Sequence, residues 1–204
     1  MMPYILRQMC RDDIAQVTAI DREAFPAMWP PMNYQRELDN LLAHYIVAVE
    51  NIPAPQDEEN ISENTGLPGR VKKWLMPDHG SNHKGKIIGF AGFWVMASEA
   101  HIISLAVKGE YRRQGLGQLL LLALMDEAVK QQSECITLEV RVSNYEAQRL
   151  YLKYGFVGKG VRRAYYTDNR EDALIMTLDN AASPECCAKI AAARQLLQLE
   201  AKEV

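Results

Sequence analysis

The sequence predicts a single mixed α/β domain built on a partly parallel sheet, and three observations predict it. Its 204 residues suit one domain, and 48% hydrophobic with 24% charged residues is an ordinary globular composition. Runs rich in β-branched and aromatic residues interleave with apolar stripes at helical spacing. After residue 86 two strand-like runs lead into helix, strand and helix in turn, the order that places neighbouring strands parallel.

Taken in order, Tyr4–Leu6 reads as a short strand. Asp12 and Asp13 then precede Ile14, Val17, Ile20 and Ala24, a helical stripe with acids at its positive end. Asn33 introduces a second short helix over Tyr34–Leu42, and Tyr45–Val49 is a strand. Lys86–Met96 and His101–Val107 are strands, Gly115–Gln132 a strong helix, Cys135–Val140 a strand and Asn144–Tyr154 a helix. Two last strands fall around Phe156–Tyr166 and Asp172–Leu178. Ser183-Pro184-Glu185 has Ser as cap and Pro at the first helical position, so a further helix starts there. This division gives a domain over residues 1–180 and a helical extension over 181–204, which either packs on the body or forms a dimer contact.

One segment breaks the pattern. Between Asn51 and Lys86 only eight residues are apolar, four of the nine prolines fall there, and acids precede bases. Such a stretch buries too little surface to offset its ordering entropy, so residues 51–86 are expected to form a long loop insertion. Trp74-Leu75-Met76 is its one candidate latch onto the body.

Several function classes drop out. A formal net charge of −3 argues against attraction to nucleic acid or an anionic membrane. The longest apolar run, Leu119 to Met125, is far short of a membrane span, and the N-terminus shows no apolar signal region. Cys10, Cys135, Cys186 and Cys187 have neither zinc nor disulfide-framework spacing. Asp78, His79 and His83 lie in a Gly/Asn/Lys-rich stretch, and no metal is expected. A cytoplasmic enzyme or small-ligand binder, monomer or weak dimer, remains.

The most informative segment is Ile103–Val107 followed by Lys108–Tyr111 and Arg112-Arg113-Gln114-Gly115-Leu116-Gly117-Gln118. A strand enters a turn, and glycines mark the first turn of an apolar helix. Backbone N–H groups there approach an anion closely and the helix terminus adds partial positive charge, which suits a pyrophosphate. Alternatively, Gly115 and Gly117 serve tight helix–strand packing. A Walker lysine and the third glycine of a dinucleotide fingerprint are missing, which disfavours nucleoside triphosphates and NAD.

Further on, Ile136, Leu138 and Val140 alternate with Cys135, Thr137 and Glu139, so Glu139 faces away from the apolar side near the strand's C-terminal end. That position fits either a ligand crevice or a solvated face. Ser143 with Glu146 has the spacing of a capping box, and the helix it begins turns Ala147, Leu150, Tyr151 and Tyr154 inward. Tyr151 is then either a core aromatic or a phenol reaching the same crevice as Glu139. Arg162 and Arg163 suit a phosphate, a substrate or a solvated hairpin.

These motifs resemble the GCN5-related N-acetyltransferases, the GNAT superfamily. Arg113-Gln-Gly-Leu-Gly-Gln118 after Leu105-Ala-Val107 is similar to its acetyl-CoA motif. Leu138-Glu-Val-Arg-Val-Ser-Asn144, Leu150-Tyr-Leu-Lys-Tyr-Gly-Phe156 and Arg162-Arg-Ala-Tyr-Tyr166 with Arg170-Glu-Asp-Ala-Leu-Ile-Met176 resemble the bacterial RimI-type enzymes, which acetylate the N-terminal alanine of a small-subunit ribosomal protein. The resemblance covers roughly Pro3–Leu178 without the 51–86 segment.

The resemblance implies a mostly antiparallel, twisted sheet with one splayed parallel strand pair. Acetyl-CoA would pair its pantetheine with the backbone of Leu105, Ala106 and Val107. Its pyrophosphate would sit on the amides of Arg113, Gln114, Gly115, Leu116, Gly117 and Gln118, and Asn144 would contact it. Glu139 corresponds to the general base and Tyr151 to the general acid. A protein N-terminus is the implied partner, and an α-amine, with a reference pKa about 2.5 units below lysine's, is the easier amine for one carboxylate to deprotonate. Phe25-Pro-Ala-Met-Trp-Pro-Pro31 departs from the family's peptide wall by extra residues. A small polyamine-like amine, a lysine side chain and a non-catalytic acyl-CoA-binding role are the alternatives.

Overall fold

The computed structural model describes residues 4–26, 31–50 and 85–200, with side chains as far as residue 197. Seven strands form one sheet: β1 (Tyr4–Gln8), β2 (Ala43–Glu50), β3 (Ile87–Met96), β4 (Glu99–Val107), β5 (Cys135–Arg141), β6 (Val157–Arg162) and β7 (Ala173–Leu178). Their spatial order is β1-β2-β3-β4-β5-β7-β6. Every neighbouring pair is antiparallel except β4 and β5. The exception follows from the connection, because between β4 and β5 the chain crosses over through a helix, α3 (Leu116–Lys130).

Helices cover both faces. On one side α1 (Ile14–Ala24) and the short α2 (Tyr34–Asp39) close a core of Val17, Ile20, Tyr34, Val47, Ile87 and Phe90. On the other, α3 sinks Leu116, Leu119–Leu122, Leu124 and Met125 against Ile88, Phe93, Ile136 and Leu138. The apolar run of the sequence is therefore a helix buried almost all round. Central β3 is buried from Ile87 to Phe93 without alternation, as expected of a strand covered on both faces. Two further helices, α4 (Tyr145–Lys153) and α5 (Pro184–Glu200), add to the α3 side.

Three boundaries differ from expectation. The second helix ends at Asp39 because Asn40 turns extended. Strand β6 ends at Arg162, and a loop follows in which the Asp172 carboxylate accepts from Ala164 N (2.8 Å) and Arg163 Nη1 (2.6 Å). At the start of α4 the cap is Asn144, whose Oδ1 accepts from Ala147 N at 3.2 Å. Ser143 instead donates its backbone N–H to Glu171 (2.8 Å), and Glu146 pairs with Arg113, so the capping box does not form.

Most of the 51–86 segment, Trp74-Leu75-Met76 included, lies outside the described residues. Its flanks are stitched together: Tyr111 donates to Glu50 (2.9 Å) and accepts from Lys86 (2.9 Å), which also reaches Glu110 (2.8 Å). Helix α5 starts where the sequence places it, with Ser183 Oγ accepting from Cys186 N, and packs along α3 through buried Ile190 and an Arg194–Asp126 ion pair (2.5 Å). Among the described residues no helix is long and apolar enough to cross a membrane.

Candidate active site

The site begins where the parallel pair comes apart. Register runs from Glu99 opposite Cys135 to Ile102 opposite Leu138 and stops there, although β4 continues to Val107 and β5 to Arg141. A bulge drives the separation. On the β3 side Phe93 pairs with Ile102 and Gly92 with Ser104, which leaves Ile103 as an extra residue that bends β4. Lys108 donates its N–H to Ile88 of β3, so by strand alternation the peptide groups of Val107 and Leu105 face the wedge. Among the described residues that edge has no strand partner, and an extended amide-bearing ligand can pair with it.

Two connected cavities fill the wedge. One, of about 660 Å³, is lined by Leu105, Ala106, Val107, Arg112, Arg113, Gly115, Gly117, Gln118 and Asn144. The other, of about 770 Å³, contains Leu105, Glu139, Asn144, Tyr151, Tyr165 and Tyr166. Ala24 and Phe25 from the end of α1, with Asn144, Ala147 and Leu150 of the α4 region, border both. Nearly all the residues the sequence singled out therefore meet in one through-going cleft. Two stand apart: Leu116 turns its side chain into the core, and Gln114 points its amide at Glu110 O (3.0 Å).

The glycines can now be told apart. Gly115 has φ +79 and caps α3 in the left-handed region that favours glycine. Among the described residues a β-carbon at Gly117 would meet only Leu150, at 4.0 Å, so none of them demands glycine there. The open side of Gly117 faces the smaller cavity, which favours ligand approach over helix–strand packing. Arg113 reaches across to Glu146 (2.5 Å) with both side chains largely exposed, a pairing too weak to hold it from an anion. Gln118 Oε1 is already taken by Lys153 (2.6 Å) and Tyr154 (2.9 Å).

Glu139 is the centre of charge in the larger cavity. Its side chain is only 6% exposed, with His101 Nε2 at 2.7 Å from one oxygen and Arg162 Nε at 2.9 Å from the other. The His101 hydrogen bond first, and the Arg162 guanidinium with it, hold its carboxyl below the ordinary range against the opposing effect of burial. Tyr151, on the inner face of α4, is pushed up to about 12 by burial and keeps its proton. The solvated-face reading of Glu139 therefore does not hold, and Arg162 is the partner of a carboxylate rather than a free hairpin cation.

Sequence reasoning missed His101, Arg141, Tyr165 and Tyr166. His101 sits opposite Thr137 in the β4–β5 register, two residues before Glu139, so the pair could be found once that parallel register was known. Arg141 is the anchor of the β6–β7 loop. Its Nη2 lies 3.0 Å from both oxygens of Asp168, its Nη1 3.0 Å from Glu171, and its guanidinium stacks 3.8 Å over the Tyr166 ring. Hydrogen bonds from Ser143 hold the Glu171 carboxyl down at about 2. The loop thereby presents Tyr165 and Tyr166 to the cleft. Among the described residues no cluster of three or more His, Cys, Asp or Glu could hold a metal ion, and Asp78, His79 and His83 lie outside them.

Known proteins share this architecture. The model of the Acetyltransferase (GNAT) family matches residues 14–156. A ribosomal protein bS18-alanine N-acetyltransferase of Escherichia coli (strain K12) is 38% identical over 144 residues, 70% of this chain and 93% of its own. A Bacillus subtilis (strain 168) protein provisionally named for the same activity is 33% identical over 84% of this chain and 92% of its own. The crystal structure of the Escherichia coli ribosomal-protein-S18-alanine N-acetyltransferase superposes with a TM-score of 0.63 at 27% identity, covering 89% of this chain and 97% of that one. With seven strands, one splayed parallel pair and a glycine turn at the head of α3, the chain belongs to the GNAT family of N-acetyltransferases.

Proposed function

We propose that this enzyme transfers acetyl from acetyl-CoA to the N-terminal α-amine of a protein, with the N-terminal alanine of a small-subunit ribosomal protein as the leading substrate and the cytoplasm as its place of action. The observation that carries the reading is the meeting of Glu139 and Tyr151 in one cavity, at the mouth of the unpaired β4 edge. The activities for which the bacterial relatives are named support the choice of substrate.

In this reading the Leu105 and Val107 backbone holds the pantetheine arm, and the amides from Arg113 to Gln118 take the pyrophosphate at the α3 terminus. Asn144 borders both halves of the cleft and keeps its amide nitrogen for the cofactor, since its oxygen caps α4. Glu139, kept ionised by His101 and Arg162, takes a proton from the substrate ammonium, directly or across one water. The neutral amine then attacks the thioester carbonyl: a C–N bond forms, the C–S bond breaks, and the Tyr151 hydroxyl supplies a proton to the departing sulfur. The second proton shed by the amine nitrogen returns to the Tyr151 oxygen, directly or across water, while Glu139 releases the first to solvent. Burial favours the neutral form of that sulfur as well, which offsets part of the phenol's raised pKa.

An α-amine has a reference pKa about 2.5 units below lysine's, which spares about 3.4 kcal/mol of deprotonation at fixed pH. A single low-lying carboxylate suits it better than a lysine. The test is a panel of Ala-, Ser- and Met-starting peptides, including the N-terminus of the host's own small-subunit ribosomal proteins, set against polyamines and lysine peptides with CoA release as readout. Preference for the Ala peptides is expected. Turnover confined to polyamines or lysine peptides would replace this reading, and CoA binding without turnover on any amine would make the protein an acyl-CoA-binding module.

A further inference from the structure

The turn ahead of α3 is held in an uncommon conformation. Arg113 has φ +64 and Gly115 φ +79, two left-handed residues within three positions, and only the second is a glycine. A side-chain-bearing residue in that region persists only where its surroundings over-determine it. Local bonds contribute: Arg112 Nε reaches Val107 O (3.0 Å) and Gln114 Nε2 reaches Glu110 O (3.0 Å).

Two further contacts come from opposite ends of the chain. Tyr4, the first residue of β1, donates its hydroxyl to the carbonyl of Gln114 at 3.1 Å. From the last helix, the Leu197 Cδ2 methyl stands 3.8 Å from where a β-carbon of Gly115 would be, ordinary contact distance. Leu197 is itself firmly placed. Upstream on α5, Ile190 is 2% exposed, Ala193 packs on the α3 core, and Arg194 is ion-paired to Asp126 of α3. The sequence treated this helix as an appendage, yet its last turns run beside the residue that caps α3.

We infer that α5 is a working part of the cofactor site, with Leu197 and Tyr4 acting as positioning residues that hold the Arg112–Gly115 turn. Both hold the turn's amides in the anion-binding arrangement before any ligand arrives. Neither lines the two cavities of the cleft. A site built beforehand binds with the full intrinsic affinity, whereas a turn that visits the competent state part of the time loses affinity in proportion to that fraction. The inference rests on the reading of this turn as the pyrophosphate site.

The test combines isothermal titration with CoA and hydrogen exchange of the ligand-free full-length protein. Leu197→Ala and Tyr4→Phe should each weaken CoA binding by about three- to tenfold, the factor set by a competent fraction falling to between a third and a tenth. Exchange at residues 113–118 should quicken without ligand, while kcat at saturating acetyl-CoA stays near wild type. Leu196→Ala, on the same helix but 61% exposed, should change none of these. A lower melting temperature with unchanged CoA affinity and unchanged turn exchange would make α5 a purely stabilising helix and overturn the inference, as would an equal effect of Leu196→Ala. Failure of the wild type to bind CoA would overturn the pyrophosphate reading and this inference with it; wild-type binding matched by both variants overturns the inference alone.

Discussion

The guanidinium of Arg162 sits on the carboxylate of Glu139, Nε to Oε1 at 2.9 Å, and the two differ sharply in exposure: 54% against 6%. A carboxylate that deep would take up a proton if left alone, because burial penalises the charged form. His101 and Arg162 prevent this. His101 approaches along the sheet and is itself mostly buried, whereas Arg162 arrives from edge strand β6 and can withdraw toward solvent. A cationic substrate amine can then replace it as counter-ion.

Removing either partner should therefore raise the Glu139 pKa. In the wild type the acid limb of kcat/KM is expected below the ordinary carboxylate range. It should move to higher pH in Arg162→Gln and further in His101→Gln, since the histidine hydrogen bond is the larger cause. Arg162→Lys should restore most of the shift. The same depression stabilises the fold: that contribution is present above the unfolded carboxylate pKa and is lost as pH falls through the lowered value. A pH–rate profile of the three variants checks this, and an unmoved acid limb would remove Glu139 from the proton path.

The two proposed proton-handling groups should separate binding from turnover. Glu139→Gln keeps the shape of the side chain, and Tyr151→Phe keeps its ring against Phe156 (centroids 5.7 Å apart). Each variant should bind CoA like wild type by titration calorimetry. Turnover should drop by about 10²–10⁴-fold, the usual worth of a positioned acid or base. Because burial pushes Tyr151 up to about 12, its titration should not shape the profile between pH 6 and pH 10. An alkaline limb that vanishes in Tyr151→Phe would contradict that.

Gly117 offers a test of the groove itself. Among the described residues no packing neighbour resists a β-carbon there, and alanine is the better helix former, by up to about 1 kcal/mol in a helix interior. Gly117→Ala should leave the melting temperature unchanged or raise it, and should weaken CoA binding because the methyl enters the smaller cavity. Gly115→Ala should instead cost stability, since alanine is strained at φ +79. Thermal melts paired with CoA titrations on both variants distinguish the two roles.

Residues whose roles are local were readable in the sequence. Alternation over Cys135–Val140 put Glu139 on the polar side of β5, and helical spacing turned Tyr151 inward, both as the structure has them. What escaped depends on register between distant segments. His101 is one polar residue in a strand until β4 and β5 are known to pair, and Arg162 reads as a hairpin cation until β6 is placed beside β7. The capping box failed for a related reason. Ser143 and Glu146 had the right spacing, but Glu171 and Arg113, remote in sequence, competed for them and left Asn144 to cap α4.

The loop that carries Tyr165 and Tyr166 should depend on one arginine. Arg141 forks onto Asp168, reaches Glu171 and Asn169, and stacks on Tyr166, a set of contacts that needs a planar five-donor group. Arg141→Lys keeps the charge but cannot make both the fork and the stack. It should raise KM for the peptide while leaving CoA binding unchanged, because the loop lines only the larger cavity. The clamp should also outlast moderate acid. Asp168, Glu171 and Asp172 are all held below their ordinary values, Glu171 at about 2, so their stabilising contribution persists above the unfolded carboxylate range and fades only as pH falls through those lowered values. Hydrogen exchange across residues 164–172 should be as slow at pH 5.5 as at pH 7 once corrected for intrinsic rate, and fast at either pH in Arg141→Lys. Rapid wild-type exchange at pH 5.5 would show that something other than these carboxylates holds the loop.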